Sequence, residues 1–174
     1  LRYRSARQIL TIEIDKEVVT AARTHLSSMR KGIDEDERAR FIIGDAKAFL
    51  EAPEKFSMVA PYDYDLVISD ISDPFNYVQA VRGSEEPSGS RRGRPEQDRM
   101  GDPEEENAAA RCYTPEFFEL VARRLTGIFV MQSQELSRII WQGHKKHRET
   151  LKQFFKYVYS YRRYVPSFNY EQSF

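Results

Sequence analysis

Three short apolar runs in this chain each stop at a carboxylate, and that repetition limits the fold more than any other feature. Residues 8–14 hold Ile9, Leu10, Ile12 and Ile14 and close on Glu13 and Asp15. Residues 40–43 run straight into Gly44-Asp45. Residues 64–68 lead into Ser69-Asp70-Ile71-Ser72-Asp73-Pro74. Runs of this length, apolar and rich in isoleucine and valine, read as strands, the first of them buried. Between them the period changes. Val18, Val19, Ala22, Leu26 and Met29 share one helical face, which predicts a helix over 16–30 with Asp15 as cap and Gly32 as its end. A short helix is expected over 46–50, then a loop bracketed by Pro53 and Pro61. Further on, Thr114-Pro115 is an N-cap followed by a proline at the first turn, predicting a helix to about 125. A strand over 127–132, helix over 139–155 and a strand over 157–165 ended by Pro166 complete the reading. Strands alternating with helices imply parallel βαβ units, and in such sheets ligands bind at the carboxyl ends of the strands.

One segment has a different character. Residues 82–111 hold eight acids and six arginines with almost no large apolar side chain. Such a stretch cannot bury enough surface to offset the entropy of ordering it. It is expected to be a disordered insertion within a single domain spanning 1–174. The 27 basic and 27 acidic side chains cancel, so the chain has no global field to draw it to nucleic acid or an anionic membrane. The insertion's arginines alternate with acids and form no nucleic-acid patch. A lone cysteine, Cys112, excludes an internal disulfide framework and fits a reducing, cytoplasmic setting. No apolar run is long enough to span a bilayer. The chain starts at Leu1 and stops at Phe174 inside an aromatic stretch, so both ends read as cuts within a larger protein.

The strand-end acids carry the chemistry. A carboxylate such as Glu13 can accept from both vicinal hydroxyls of a ribose, or be a solvated strand end; Asp15 suits a cap better. Asp45 follows a glycine that lets backbone approach a ligand, and can accept from an exocyclic amine or cap the next helix. Asp70 and Asp73 are like charges three residues apart, unfavourable without a cation or proton between them. A metal would want further acids or histidine nearby, and His144 and His147, flanked by lysines, look solvated. A cationic amine substrate is another answer, with one acid taking its proton. Asp-Ser-Pro turn chemistry is the plain structural alternative. Neither a Gly-x-Ser-x-Gly elbow nor a phosphate-binding Gly-Lys-Ser/Thr loop is present.

Taken together, Ile12-Glu13-Ile14-Asp15, Arg38, Gly44-Asp45-Ala46, the run from Tyr64 to Pro74, Tyr113-Thr114-Pro115-Glu116-Phe117-Phe118 and Val130-Met131-Gln132-Ser133 resemble, in order and spacing, the polyamine aminopropyltransferases. The resemblance covers most of the chain outside the insertion. It implies an α/β, Rossmann-like domain with a methyltransferase-type, mostly parallel sheet, helices on both faces, truncated at both ends. It implies decarboxylated S-adenosylmethionine as co-substrate, a polyamine acceptor such as putrescine or spermidine, no tightly bound cofactor and no metal. By the same resemblance Glu13 holds the ribose, Asp45 with Ala46 the adenine side, and Asp70 activates the attacking amine. Asp73 would lie near the reacting groups, Gln132 would line the pocket, and the full-length protein would be a homodimer. The family's glycine-rich loop and amino-terminal β-domain lie outside this chain, so the fragment alone is expected to be inactive. Two other readings stand beside this one: a methyltransferase on the same sheet, which has no general need of the Asp70/Asp73 pair, and a family member that only binds. Tyr157, Tyr159, Tyr161 and Tyr164 are expected either to line the acceptor pocket or to pack in a strand core.

Overall fold

The computed structural model describes residues 4–30, 32–56, 63–71, 109–133, 141–166 and 170–174. Its chain divides into two compact units, Leu1–Ala60 and Pro61–Phe174.

In the first unit, β1 (Ile9–Glu13) pairs in parallel with β2 (Ala39–Ile43), with Ile9 opposite Ala39 and Glu13 opposite Ile43. The connection between them contains α1 (Lys16–His25), capped by Asp15, whose side chain accepts from the Glu17 amide. The helix is shorter than its apolar spacing predicts. It stops at His25, and Met29, expected on the inward face, is 81% exposed. Ser27 and Ser28 follow; serine competes for backbone hydrogen bonds and weakens a helix that buries no residue of its own. Turns continue the chain instead, with Arg30 paired to Asp34 and Gly32 at φ +78°, a left-handed conformation glycine adopts without strain. The strand itself is half-buried rather than buried, with Ile9 and Ile14 at its ends exposed. After β2, Asp45 caps α2 (Ala46–Glu51) by accepting from the Ala48 amide at 2.9 Å. A 3-10 turn, Pro53–Phe56, then folds Phe56 edge-on to the buried Phe49. That turn explains Gly44: a Cβ there would meet the Phe56 ring at 2.7 Å.

The second unit is built on β3 (Tyr64–Ser69) and β4 (Leu125–Met131), again a parallel pair, running from Tyr64 opposite Leu125 to Ser69 opposite Met131. Strand β4 starts two residues earlier than the apolar run suggests, and the register shifts between Tyr64 and Leu66. Gly127 sits at that irregularity, where a Cβ would fall 2.1 Å from the Asp65 carbonyl oxygen. Helix α3 (Pro115–Arg124) begins as predicted, with the Thr114 hydroxyl accepting from the Phe117 amide. It presents Phe117, Phe118 and Val121 to the core, and Phe118, Phe129 and Phe155 run ring to ring behind β4. Burying side chains of this size contributes roughly 1.5–3 kcal/mol each, the main stabilisation available here. Helix α4 (Trp141–Leu151) ends four residues short of the predicted helix, in turns through Phe154. Strands β5 (Arg162–Val165) and β6 (Tyr170–Ser173) form an antiparallel pair. The tyrosine segment is a strand only from Arg162; Tyr157, Tyr159, Tyr161 and Tyr164 are all more than half exposed, so none packs in a strand core. Of the charged segment, residues 109–111 make a helical turn before Cys112, and the rest lies outside the described residues. Among the described residues no helix is long and apolar enough to cross a membrane.

Candidate functional site

Both parallel pairs bring acids to their carboxyl ends, for the same local reason: a strand that stops on a polar residue hands the chain to a cap. In the first unit Glu13 ends β1, and the Gly44 amide donates to its carbonyl at 2.9 Å, carrying the ladder one step past β2. The two acids thus stand on neighbouring strand ends, Glu13 on one and Asp45 two residues beyond Ile43 on the other. Glu13 Oε1 accepts from the Asp15 amide at 3.0 Å, which orients the carboxylate. Asp45 Oδ1 is engaged in capping α2. A carboxylate has about four lone-pair sites, so the cap leaves it the capacity to accept from a ligand as well. Ala46 opens α2 and is half-buried. The glycine before Asp45 admits the Phe56 ring, which accounts for it without a ligand. Arg38, placed just before β2, makes a two-pronged ion pair with Asp36 and donates to the Ala6 carbonyl. That guanidinium holds the Asp36 carboxyl far below its ordinary range. The arginine therefore anchors the approach to β1.

In the second unit Asp70 follows β3 directly and its side chain is exposed. Gln132 follows β4, and its amide donates to the Ser69 carbonyl at 3.0 Å, so Asp70 and Gln132 leave adjacent strands at the same end. Asp73 lies outside the described residues. Among the described residues no three or more His, Cys, Asp or Glu side chains gather as they would around a metal.

Behind this edge is a buried polar cluster that the sequence reading put in solvent. His144 and His147 are only 8% and 4% exposed. They lie three residues apart on one face of α4, turned inward, while Lys145 and Lys146 take the outer face. Ser133 Oγ sits 3.0 Å from His144 Nδ1 and 3.3 Å from His147 Nδ1, and His144 Nε2 is 2.9 Å from Ser160 Oγ. One hydroxyl carries one proton, so Ser133 can donate to at most one of the two rings. Burial lowers both, and for His147, helped by His144 and Lys146, down to about 4. Tyr113 stacks on His147 with ring centres 5.1 Å apart, and its hydroxyl donates to the Ile71 carbonyl at 3.0 Å. The i, i+3 spacing of the histidines, with lysines between, was the available signal; flanking charge was the misleading one.

Parallel strand pairs alternating with helices put the chain in the α/β class, and its likeness to solved structures gives the methyltransferase-like fold. Within that class the chain is similar to the polyamine aminopropyltransferases over almost its whole length. Residues 1–84 match the family model for the spermine/spermidine synthase domain. The polyamine aminopropyltransferase of Synechococcus sp. (strain JA-3-3Ab) is 32% identical over 171 residues, covering 97% of this chain and 43% of that protein. Its counterpart in Aeropyrum pernix is 29% identical, with the same coverage. Among solved structures, a spermidine synthase in complex with the transition state analogue AdoDATO superposes with a TM-score of 0.67 at 18% identity, covering 98% of this chain and 46% of the other. The Thermotoga maritima spermidine synthase gives 0.62. The chain thus spans less than half the length of the relatives it matches.

Proposed function

We propose that the protein containing this chain transfers an aminopropyl group from decarboxylated S-adenosylmethionine to a polyamine acceptor and releases methylthioadenosine. The observation that carries the reading is the placing of acids at strand carboxyl ends: Glu13 and Asp45 in one unit, and Asp70, beside the uncharged amide residue Gln132, in the other. Similarity to polyamine aminopropyltransferases across 97% of the chain supports it.

The chemistry follows from the donor's charge. The amine nitrogen attacks the methylene next to the sulfonium; the C–N bond forms, the C–S bond breaks, and its electron pair returns to sulfur as a neutral thioether. The nitrogen becomes cationic and must lose a proton. Asp70 is the base, since a carboxylate at that point both steadies the developing charge and accepts the proton. Glu13 holds the ribose diol and Asp45 the adenine amine, with Ala46 beside it. Asp73 is assigned to the aminopropyl side and Gln132 to the pocket wall. Putrescine or spermidine is the acceptor class, the full-length protein works as a homodimer, and the compartment is the cytoplasm.

The test is Asp70→Asn in the full-length protein, followed by methylthioadenosine release with putrescine and with spermidine. The substitution is expected to lower kcat by roughly 10²–10⁴-fold, the usual worth of a general base, with donor KM little changed. Undiminished turnover would remove Asp70 from the role; methyl transfer in place of aminopropyl transfer would reassign the reaction.

A further inference from the structure

We propose that Tyr113 is a positioning residue for Asp70, its hydroxyl forming one half of a backbone clamp whose other half is the Gln132 amide. The inference rests on the assignment of Asp70 as the base.

Asp70 is exposed, so packing does not aim its carboxylate. Its direction has to come from the backbone on either side. The carbonyl just before it, of Ser69, accepts from the Gln132 amide at 3.0 Å. The carbonyl just after it, of Ile71, accepts from the Tyr113 hydroxyl, also at 3.0 Å. The peptide plane that enters Asp70 is therefore tied to one element, and the carbonyl one residue beyond it to another. The first tie continues the β3–β4 ladder and is part of the sheet. The second joins residues 42 apart in the chain and is no consequence of local structure.

The tyrosine can do this because it is itself held. Its ring stacks on His147 of α4, and His147 in turn meets Ser133 at the end of β4. The next residue, Thr114, caps α3. The hydroxyl thus belongs to a frame made of α3, α4 and β4, and its donated hydrogen bond ties that frame to the chain just past Asp70. Satisfying the Ile71 carbonyl does not demand it. Next to a residue as open as Asp70, water can serve a carbonyl equally well. What a fixed hydroxyl adds over water is position, and misplacing a reacting group by about 1 Å can cost as much as 10²-fold in rate.

The experiment is a double-mutant cycle in the full-length protein, with Tyr113→Phe, Asp70→Asn and the pair. Phenylalanine keeps the ring and its stacking and removes the hydroxyl that makes the tie. Tyr113→Phe alone is expected to lower kcat about tenfold, well inside that ceiling, with donor KM within about twofold and the thermal midpoint nearly unmoved. In the Asp70→Asn background it is expected to cost nothing more, because the residue acts through the carboxylate. Wild-type kcat in Tyr113→Phe, with Asp70→Asn crippled, overturns the clamp and leaves the base in place. An equal loss in both backgrounds, or a loss that tracks the thermal midpoint, also overturns it, since either marks a structural role. If Asp70→Asn turns over normally, or if the unsubstituted protein does not turn over at all, the base assignment fails and the clamp goes with it.

Discussion

His147 shows what a single buried ring does to this protein's response to acid. Burial, the neighbouring His144 and Lys146 together push it down to about 4, from an ordinary value of 6.5. Arg148 adds to the same pressure on His144, while Tyr113, Ser133 and Ser160, which also touch the pair, are uncharged. The folded state thus prefers the neutral ring, and between pH 6.5 and 4 the unfolded chain binds the extra proton. Stability from this source is complete above about pH 6.5, falls as the pH drops towards 4, and is level below that. The full loss is on the order of 3 kcal/mol. Urea unfolding at pH 7.5, 5.5 and 4.5 should show it, and His147→Gln should flatten the curve over that window. A variant with the wild-type slope would mean that the ring is solvated. No direct sign of this burial is legible in the sequence, because the lysines beside the histidines advertise a wet surface. Only the recognition that positions three apart share a helical face separates the histidines from the lysines. Tyr113 was legible as part of a motif but not as a hydrogen-bond donor, because its acceptor lies 42 residues away.

Elements were read well where local chemistry decides and less well where packing does. Thr114-Pro115 names the start of α3 to the residue, since a cap and a first-turn proline act within four positions. Helix ends at His25 and Leu151 fall short of the apolar pattern, because a pattern says which face would be buried and not whether anything covers it. The start of β4 depends on a feature no apolar run reveals, the register shift opposite Asp65. Gly127 is the residue that permits it. Gly127→Ala would drive a methyl group into the Asp65 carbonyl, and backbone cannot swing aside as a side-chain tip can. The expected outcome is a loss of about 1–3 kcal/mol, read as a lower urea midpoint with an unchanged slope. The same substitution at Gly32, whose surroundings are open, meets no such obstacle and should show only the smaller strain of a left-handed alanine. Equal effects at the two sites would place the shift elsewhere.

At the scale of the whole chain, the α/β class was readable from alternation alone, and the acids from where the apolar runs stop. What remained unreadable was which oxygen each acid commits to the fold. Asp45 is the sharpest case, because the structure gives it a cap to make whatever else it binds. Asparagine caps a helix about as well as aspartate, whereas alanine does not, so two substitutions separate the two duties. If Asp45 only caps α2, Asp45→Asn should leave the full-length protein unchanged, and Asp45→Ala should lose about 1 kcal/mol of stability and nothing else. If it also receives the adenine amine, Asp45→Asn keeps the stability but weakens a charge-assisted hydrogen bond, raising donor KM about tenfold. Glu13→Gln should do the same through the ribose, with the Asp15 amide still accepted by the new side chain. The first unit would then govern donor affinity, and Asp70 in the second would govern kcat. Steady-state kinetics on the three variants checks that division. A donor KM unmoved by both Asp45→Asn and Glu13→Gln would return those two acids to capping and strand-end duty, whatever Asp70 does.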